Sequence, residues 1–336
     1  MGKSKHKISN WKQYNQALVQ RGSLTVWMDE QAIQQWHCQT HHGRRGRGFH
    51  YSDSAIETAL MLKAVFKLPL RALEGFINSL FELMNVPLQS PDYSCISKRA
   101  KTVEIKYRLP SHGPVAHLVI DATGLKVYGE GEWKIRKHGK EKRRVWRKLH
   151  LAVDAATHAI VAAEVSLETV GDNEVLPTLL NPLRRKIEQV SADGAYDTRA
   201  CYALLQKKGI KATIPPRKNA AFWKKGHPRN EAVAALKAGE LEQWKKDSGY
   251  HQRSIAETAM YRFKQLIGPK LSLRSYNAQV GEILAGVKVM NKVIGLGMPI
   301  RQAVICCMER SNLSQPMPAT KGRHSARSWP RWMWTG

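Results

Sequence analysis

One glutamate in the C-terminal half of the chain, Glu257, lies among residues that suit nucleic-acid chemistry. Tyr250, Arg253 and Lys264 are spaced so that all four residues share one face of a predicted helix. A carboxylate there can hold a metal ion while the cations neutralise phosphates. The same spacing also fits a solvated helix face with an i, i+4 Arg–Glu pair. The opposite face carries an apolar stripe that we expect to pack on the core: Ile255, Ala259, Phe263 and Leu266.

Two aspartates, Asp121 and Asp193, each end a short apolar run that reads as a strand. If the first and fourth strands of the sheet are neighbours, both carboxylates emerge at one sheet edge, where ligands commonly bind. With Glu257 they would form a three-carboxylate site that prefers Mg²⁺ or Mn²⁺, and two such ions about 4 Å apart can promote phosphoryl transfer. Asp154 and Asp197 occupy similar positions, and such an aspartate is often only a turn residue. Spacing alone therefore does not select the members.

The overall charge favours a polyanionic partner. The 336 residues include 54 Lys plus Arg against 27 Asp plus Glu, which gives a formal net charge of +27 and a pI of about 10.0. Such a field attracts nucleic acid. A basic block over residues 134–148, flanked by Trp133 and Trp146, contains Arg143 and Arg144. We predict that this block is an ordered basic hairpin or loop over bound nucleic acid, although such a block is more usually a flexible tail.

The composition argues against several other classes of protein. The sequence has no run of 18 apolar residues and a polar, Lys-rich start, so we expect a globular protein that stays in the cytoplasm. Five scattered cysteines without a Cys-x-x-Cys pair indicate neither a disulfide framework nor a four-thiolate zinc site. His37, Cys38, His41 and His42 cluster, but the flanking sequence lacks partners that would complete a zinc site.

The first 112 residues read as a helical domain. Apolar periodicity predicts helices over residues 52–66 and 70–84, and Ser90, as an N-cap before Pro91, opens a short helix to about Thr102. This arrangement fits a helix-turn-helix, and a plain three-helix bundle with a solvated last helix fits it as well. In the helix-turn-helix interpretation, the last helix enters the major groove with its basic residues Lys98, Arg99 and Lys101.

A linker at residues 109–114 precedes a region in which strands and helices alternate. The predicted order is β-β-β-α-β-α-β, followed by a basic insert at about 217–247, the Glu257 helix and another amphipathic helix over 280–294. Three antiparallel strands followed by βαβ units give a mixed α/β sheet covered by helices. We expect this second domain to span residues 113–310, and a basic, Trp-containing, disordered tail to follow over 311–336.

Three segments in combination resemble the catalytic boxes of the DDE transposases of bacterial insertion sequences. The first two are Val119–Lys126 (VIDATGLK) and Ala192–Asp197 (ADGAYD), and the third is the Tyr, Arg, Glu, Lys register around Glu257. The resemblance extends from about residue 10 to about residue 305 and is nearest to the insertion-sequence-5 family, in its 903-like group. The tail after about Ser311 does not share it.

The resemblance implies an RNase H-like catalytic core that holds two Mg²⁺ or Mn²⁺ ions. It further implies that the N-terminal helices recognise the terminal inverted repeats, and that a freed 3′-hydroxyl attacks target DNA after the transposon end is hydrolysed. Double-stranded DNA would be the partner, bound by at least two chains in the bacterial cytoplasm at the nucleoid. Two alternatives stay open: a stand-alone metal-dependent nuclease, or an inactive basic DNA-binding protein derived from a transposase. The resemblance assigns metal binding and catalysis to Asp121, Asp193 and Glu257, and contacts along the DNA end to Tyr250, Arg253 and Lys264.

Overall fold

The computed structural model describes residues 6–39, 48–110, 113–127 and 145–303, which divide between two compact units. In the smaller unit, the strand His6–Ile8 pairs antiparallel with the strand Arg301–Ala303. The larger unit, residues 10–299, contains every element discussed below. Most of the predicted basic block and the predicted tail lie outside the described residues. No helix within the described ranges is both long and apolar enough to cross a membrane.

Three of the N-terminal helices lie where periodicity predicted them. The Ser52 hydroxyl caps the first of the three by accepting the N–H of Ala55 at 3.0 Å. The last one starts later than predicted because Asp92, not Ser90, is its N-cap and accepts the N–H groups of Ser94 and Cys95. The helix-turn-helix role of these elements stays a prediction. Within the described residues, six helices precede the first strand of the sheet: α1 (Trp11–Gln20), α2 (Leu24–Trp27), α3 (Glu30–Gln34), α4 (Asp53–Phe66), α5 (Leu70–Leu83) and α6 (Tyr93–Arg99). The three that were predicted are α4, α5 and α6.

A mixed β-sheet forms the centre of the larger unit, as predicted. Its strands are β1 (Val115–Val127), β2 (Trp146–Asp154), β3 (Ile160–Leu167), β4 (Ile187–Ser191), β5 (Lys211–Thr213) and β6 (Lys270–Leu271). Their order across the sheet is β3-β2-β1-β4-β5, with β6 pairing to the far end of β1. The strands β1, β2 and β3 are antiparallel to one another, whereas β4, β5 and β6 run parallel to their neighbours. The first and fourth strands are therefore adjacent.

Helices cover both faces of the sheet because its side chains alternate between two apolar layers. One layer packs Leu118 and Ile120 against α7 (Asp172–Leu180) and α8 (Arg199–Lys207). The other packs Val119 and Leu125 against α11 (Ser254–Leu266) and α12 (Tyr276–Leu296). The predicted basic insert is partly helical, and its helices are α9 (Arg229–Lys237) and α10 (Leu241–Asp247).

The N-terminal helices share a hydrophobic core with α12. Ala285 and Val289 of α12 belong to the same buried cluster as the apolar residues of α4 and α5. A buried ion pair joins Lys63 of α4 to Glu282 of α12, and the Glu282 carboxylate also accepts the N–H of Ser272 at 3.0 Å. Apolar and polar contacts therefore connect the N-terminal helices to an element that packs on the sheet.

Candidate active site

Asp121 lies in the middle of β1, not at its end as the sequence suggested. The strand continues to Val127 because β2 pairs with it as far as Lys126. Its other neighbour, β4, ends earlier, and the last aligned pair is Val119 with Ser191. All aligned pairs of β1 and β4 differ by 72 in residue number, which is also the difference between Asp121 and Asp193. Because β4 ends at Ser191, opposite Val119, Asp121 lies beside the segment that follows β4.

Asp193 follows β4 in extended conformation and begins a 3₁₀ turn, Gly194–Tyr196. Its carboxylate accepts the N–H of Ala195 at 3.0 Å, so one oxygen is fixed by the turn that it caps. A β-carbon at Gly194 would lie 3.4 Å from the carbonyl oxygen of Pro215, an ordinary packing contact, so the turn packs against the segment that follows β5. The box ADGAYD thus forms a tight strand-to-turn junction that orients its first aspartate.

Tyr250 and Arg253 do not share a helix with Glu257, which corrects the prediction from spacing. They form a 3₁₀ turn, Tyr250–Arg253, and α11 begins at Ser254. The turn follows Gly249, whose φ of 70° separates it from α10. The Gln189 amide of β4 donates to the Ser248 carbonyl at 2.8 Å and so ties the start of the turn to the sheet. The turn carries Arg253 over the sheet edge.

The Arg253 guanidinium brings two of the three acids together. It lies 3.2 Å from an Asp121 oxygen and also pairs with Glu257. The Tyr250 ring is 5.9 Å from the guanidinium carbon, within cation–π range. Burial alone would lower the pKa of Arg253, but the neighbouring Tyr250 and the charges of Asp121, Glu257 and Asp193 outweigh burial and raise it. All three predicted acids thus act electrostatically on one cation.

The acids also act on one another. Burial is the main cause of the raised pKa of Asp121, and the charges of Asp193 and Glu257 raise it further. The N–H of Ala122 and the Arg253 guanidinium oppose that rise. The Asp121 side chain is 19% exposed and that of Glu257 is 54% exposed. The site is therefore a partly open group of acids at the β1–β4 edge.

The two rival aspartates have structural partners instead. Asp154 is buried in the turn after β2, where it accepts the N–H of Ala156 and the Thr157 hydroxyl, each at 2.9 Å. Asp197 forms a buried ion pair with Arg229 of the insert. A local turn at Asp154 and a long-range ion pair at Asp197 thus distinguish these acids from Asp121 and Asp193, although all four look alike in sequence.

The donor set at this edge fits a hard divalent cation, because carboxylate oxygens are the ligands that Mg²⁺ and Mn²⁺ prefer. Among the residues that the structure describes, no three His, Cys, Asp or Glu side chains are placed close enough together to hold a metal ion. The charge that balances Asp121 and Glu257 comes from Arg253.

Apart from Tyr250 and Arg253, described above, the predicted DNA-contacting residues divide into three groups. Lys98 and Lys101 are exposed at the end of α6, and Lys264 lies half-buried on α11. Arg99 is buried, where it pairs with Asp53 and donates to the Tyr51 carbonyl at 2.9 Å. This arrangement gives Arg99 a packing role. Two further predicted contacts, Arg143 and Arg144, lie outside the described residues.

Two residues near the acids were not singled out from the sequence. Arg217 was only one of many cations in the insert, yet its side chain donates to the Gly194 carbonyl at 3.3 Å, next to Asp193. Tyr261 is 64% exposed, one helical turn after Glu257 on α11. An i, i+4 count from Glu257 would have found Tyr261, whereas no sequence signal connects Arg217 to Asp193.

Comparisons with known proteins bear on the family. Two family models, both described as a transposase DDE domain, match residues 19–130 and 114–291. Among solved structures, a piggyBac transposase synaptic complex with hairpin DNA is similar at 12% identity and a TM-score of 0.38, covering 87% of this chain and 77% of that chain. The intasome of simian T-cell lymphotropic virus in complex with PP2A regulatory subunit B56 gamma is similar at 13% identity and a TM-score of 0.24, covering 59% and 64%.

These structural likenesses are weak, whereas the second sequence match spans more than half of the chain. That match includes Asp121, Asp193 and Glu257, which lie at the sheet edge described above. The chain therefore belongs to the DDE transposase family.

Proposed function

We propose that this protein is the transposase of an insertion sequence of the insertion-sequence-5 family, in its 903-like group. It binds the terminal inverted repeats, cleaves DNA at the element's ends and joins the freed 3′-hydroxyl to target DNA. The observation that carries the proposal is the placement of Asp121 and Glu257 on one guanidinium at the β1–β4 edge, with Asp193 directly after the end of β4.

The strand order supports an RNase H-like core. Three antiparallel strands, followed by two parallel strands on the other side of β1, put the end of β4 beside the middle of β1, where Asp121 lies. In this proposal Asp121, Asp193 and Glu257 are the ligands of two Mg²⁺ or Mn²⁺ ions. Such ions, when bound, activate an attacking oxygen and stabilise the leaving oxygen in phosphoryl transfer.

The other residues of the proposed site position DNA. Lys264 lies on the helix that carries Glu257, and Tyr250 lies in the preceding turn, so both can follow the backbone of a DNA end. The net charge of +27 provides the general attraction to duplex DNA. We assign inverted-repeat recognition to residues 1–112, including Lys98 and Lys101, and the chemistry to residues 113–310. Joining two ends requires at least a dimer on DNA.

Substitution of the acids tests the proposal. We expect Asp121→Asn, Asp193→Asn and Glu257→Gln each to reduce Mg²⁺-dependent cleavage of a transposon-end duplex at least about a hundredfold. DNA-end binding should persist, because the amides keep the shape of the carboxylates. Glu242→Gln is the matched control, since Glu242 is an exposed acid paired with Lys245 on α10. Cleavage at the unsubstituted rate by any of the three variants would contradict the assignment.

A second assay separates a transposase from a nuclease that has the same site. A duplex end with a ready-made 3′-hydroxyl is incubated with plasmid and Mg²⁺. We expect strand-transfer products in which the duplex is joined to the plasmid. Cleavage of uncut ends without any joining would favour the nuclease, and end binding without either reaction would favour an inactive DNA-binding protein.

A further inference from the structure

The Arg253 side chain stands where the acids would bind a divalent ion. One of its nitrogens is 3.2 Å from Oδ2 of Asp121, and another pairs with Oε1 of Glu257. The other Asp121 oxygen accepts the N–H of Ala122 at 2.9 Å. Both oxygens of Asp121 are therefore engaged. A divalent ion that binds Asp121 through Oδ2 and also binds Glu257 must compete with the guanidinium for them.

Electrostatic repulsion between the carboxylates explains why Arg253 contacts both Asp121 and Glu257. Asp121 and Glu257 both contact the Arg253 guanidinium, and its positive charge relieves the repulsion between these two carboxylates. Burial makes that balance more important at Asp121, whose side chain is only 19% exposed. The guanidinium thus stabilises the arrangement of the acids in the absence of metal, and for the same reason opposes the entry of metal.

Arg253 also has an alternative partner within the proposed reaction. A planar guanidinium binds phosphate in the same bidentate manner as carboxylate. Glu257, one of its two present partners, is 54% exposed, so the pair lies at the open side of the site. A DNA phosphate arriving there competes for the guanidinium from solvent. Displacement from Glu257 needs only a side-chain movement.

We propose that Arg253 is an exchangeable counter-cation that couples DNA binding to metal binding. In the DNA-free protein it holds Asp121 and Glu257. When a DNA end binds, the guanidinium transfers to a backbone phosphate and frees the two carboxylates for the ions. Arg253 is thereby a positioning residue whose partner depends on the state of the complex. This inference rests on the proposed function, because it requires that DNA and metal meet at these acids.

Metal affinity of the full chain tests this coupling directly. Free Mn²⁺ is measured by electron paramagnetic resonance, with and without a duplex from the DNA that flanks the coding region. We expect DNA to tighten Mn²⁺ binding by the unsubstituted protein about fivefold or more. Arg253→Gln should bind Mn²⁺ about fivefold or more tightly even without DNA, and added DNA should then change its affinity little. Arg253→Lys should be intermediate, since it keeps the charge but not the two-pronged geometry.

Two controls exclude general effects. Lys245→Gln removes one positive charge from an exposed pair on α10, and its Mn²⁺ affinity should match that of the unsubstituted protein. Adding Asp121→Asn to Arg253→Gln should abolish the gain, which places the ion at the acids. If the gain survives Asp121→Asn, the ion binds elsewhere and the inference is wrong. If Arg253→Gln does not fold, Arg253→Lys decides the matter, and an unchanged Mn²⁺ affinity overturns the inference.

The two proposals fail in different ways. If the unsubstituted protein cuts and joins DNA ends but Arg253→Gln binds Mn²⁺ no more tightly than it does, the coupling is wrong and the transposase function stands. If Arg253→Gln shows the expected gain but the unsubstituted protein neither cuts nor joins DNA, the proposed function is wrong while the exchange of cations stands.

Discussion

At the residue scale, His150 in β2 shows how the sheet buries polar groups near the acids. Its side chain is fully buried, and one ring nitrogen lies 2.8 Å from the Ser166 hydroxyl. Burial lowers the pKa of His150 from 6.5 to about 4, and the positive charge of Lys148 contributes to the decrease. The imidazole is therefore neutral in the folded protein at neutral pH.

This burial predicts a pH-dependent stability. Because the pKa is lower in the folded than in the unfolded state, the unfolded chain binds more protons between pH 6.5 and about pH 4. The contribution of neutral His150 to stability is complete above pH 6.5 and is lost as the pH falls toward 4. The loss amounts to roughly 3 kcal/mol.

Urea unfolding between pH 4 and pH 7 measures this effect. His150→Gln cannot titrate and should lose less stability over the interval than the unsubstituted protein. His251→Gln, which removes a histidine at an exposed position, is the matched substitution control. If the free energy of unfolding depends on pH in the same way for His150→Gln and the unsubstituted protein, protonation of His150 does not destabilise the folded state, and the prediction is wrong.

The acidic residues show which features of the candidate site can be predicted from the sequence and which cannot. The types and order of Asp121, Asp193 and Glu257 were readable because their three boxes occur together. The separate fates of Asp154 and Asp197 were not readable, since a turn and an ion pair to Arg229 decide them. A contact such as that between Asp197 and Arg229 crosses 32 positions of the chain, and no local pattern encodes it.

At the element scale, α12 is held against the N-terminal helices by a close approach at Gly281. A β-carbon added at Gly281 would lie 2.6 Å from the carbonyl oxygen of Ala100, the residue that ends α6. Real β-carbons do not approach an oxygen so closely. Glycine at this position therefore lets α6 and α12 pack backbone to backbone.

Paired glycine substitutions test this packing. Gly281→Ala must push α6 and α12 apart, and we expect it to lower the free energy of unfolding by about 1–3 kcal/mol. Gly295→Ala in the same helix is the matched control, because nothing lies within 4 Å of its β-carbon position. The control should be neutral or stabilising by up to about 1 kcal/mol. Equal urea midpoints for the two variants would contradict the packing argument.

Most helices and strands of the sheet domain could be predicted from the sequence. The main exception at the candidate site is the 3₁₀ turn Tyr250–Arg253. Periodicity located α4, α5, β2 to β5 and α12 within a few residues, whereas β1 continues past Asp121 to Val127 and β6 was not predicted. It extended the Glu257 helix back to Tyr250, because a 3₁₀ turn and an α-helix bring neighbouring side chains to similar faces. Spacing placed Arg253 beside Glu257, as observed, but could not show that Asp121 would be its other partner.

At the scale of the whole molecule, residues 10–299 form one compact unit. The linker predicted at residues 109–114 does not interrupt the hydrophobic cluster that α12 shares with α4 and α5. The buried pair of Lys63 and Glu282 crosses the same boundary. Removing the N-terminal helices would expose this apolar surface and leave Glu282 without its lysine.

A truncation experiment follows from the shared core. We expect a fragment of residues 113–303 to lose cooperative thermal unfolding and to bind a hydrophobic dye, because Ala285 and Val289 lose their cover. Residues 1–303, which retain every described element, serve as the control and should unfold in a single transition. A fragment that melts cooperatively within a few degrees of this control would show that the sheet folds without the N-terminal helices.

The common offset of 72 residues between β1 and β4 has a consequence for how the chain can vary in length. Hydrogen bonding between β1 and β4 aligns Asp121 with Asp193. The number of residues that connect the two strands therefore does not affect this alignment. Loops of different size between them would leave the carboxylates level with each other. Deleting one residue inside β4 would instead turn Asp193 toward the other side of the sheet. The relative placement of Asp121 and Asp193 is thus insensitive to loop length and intolerant of a change in strand register.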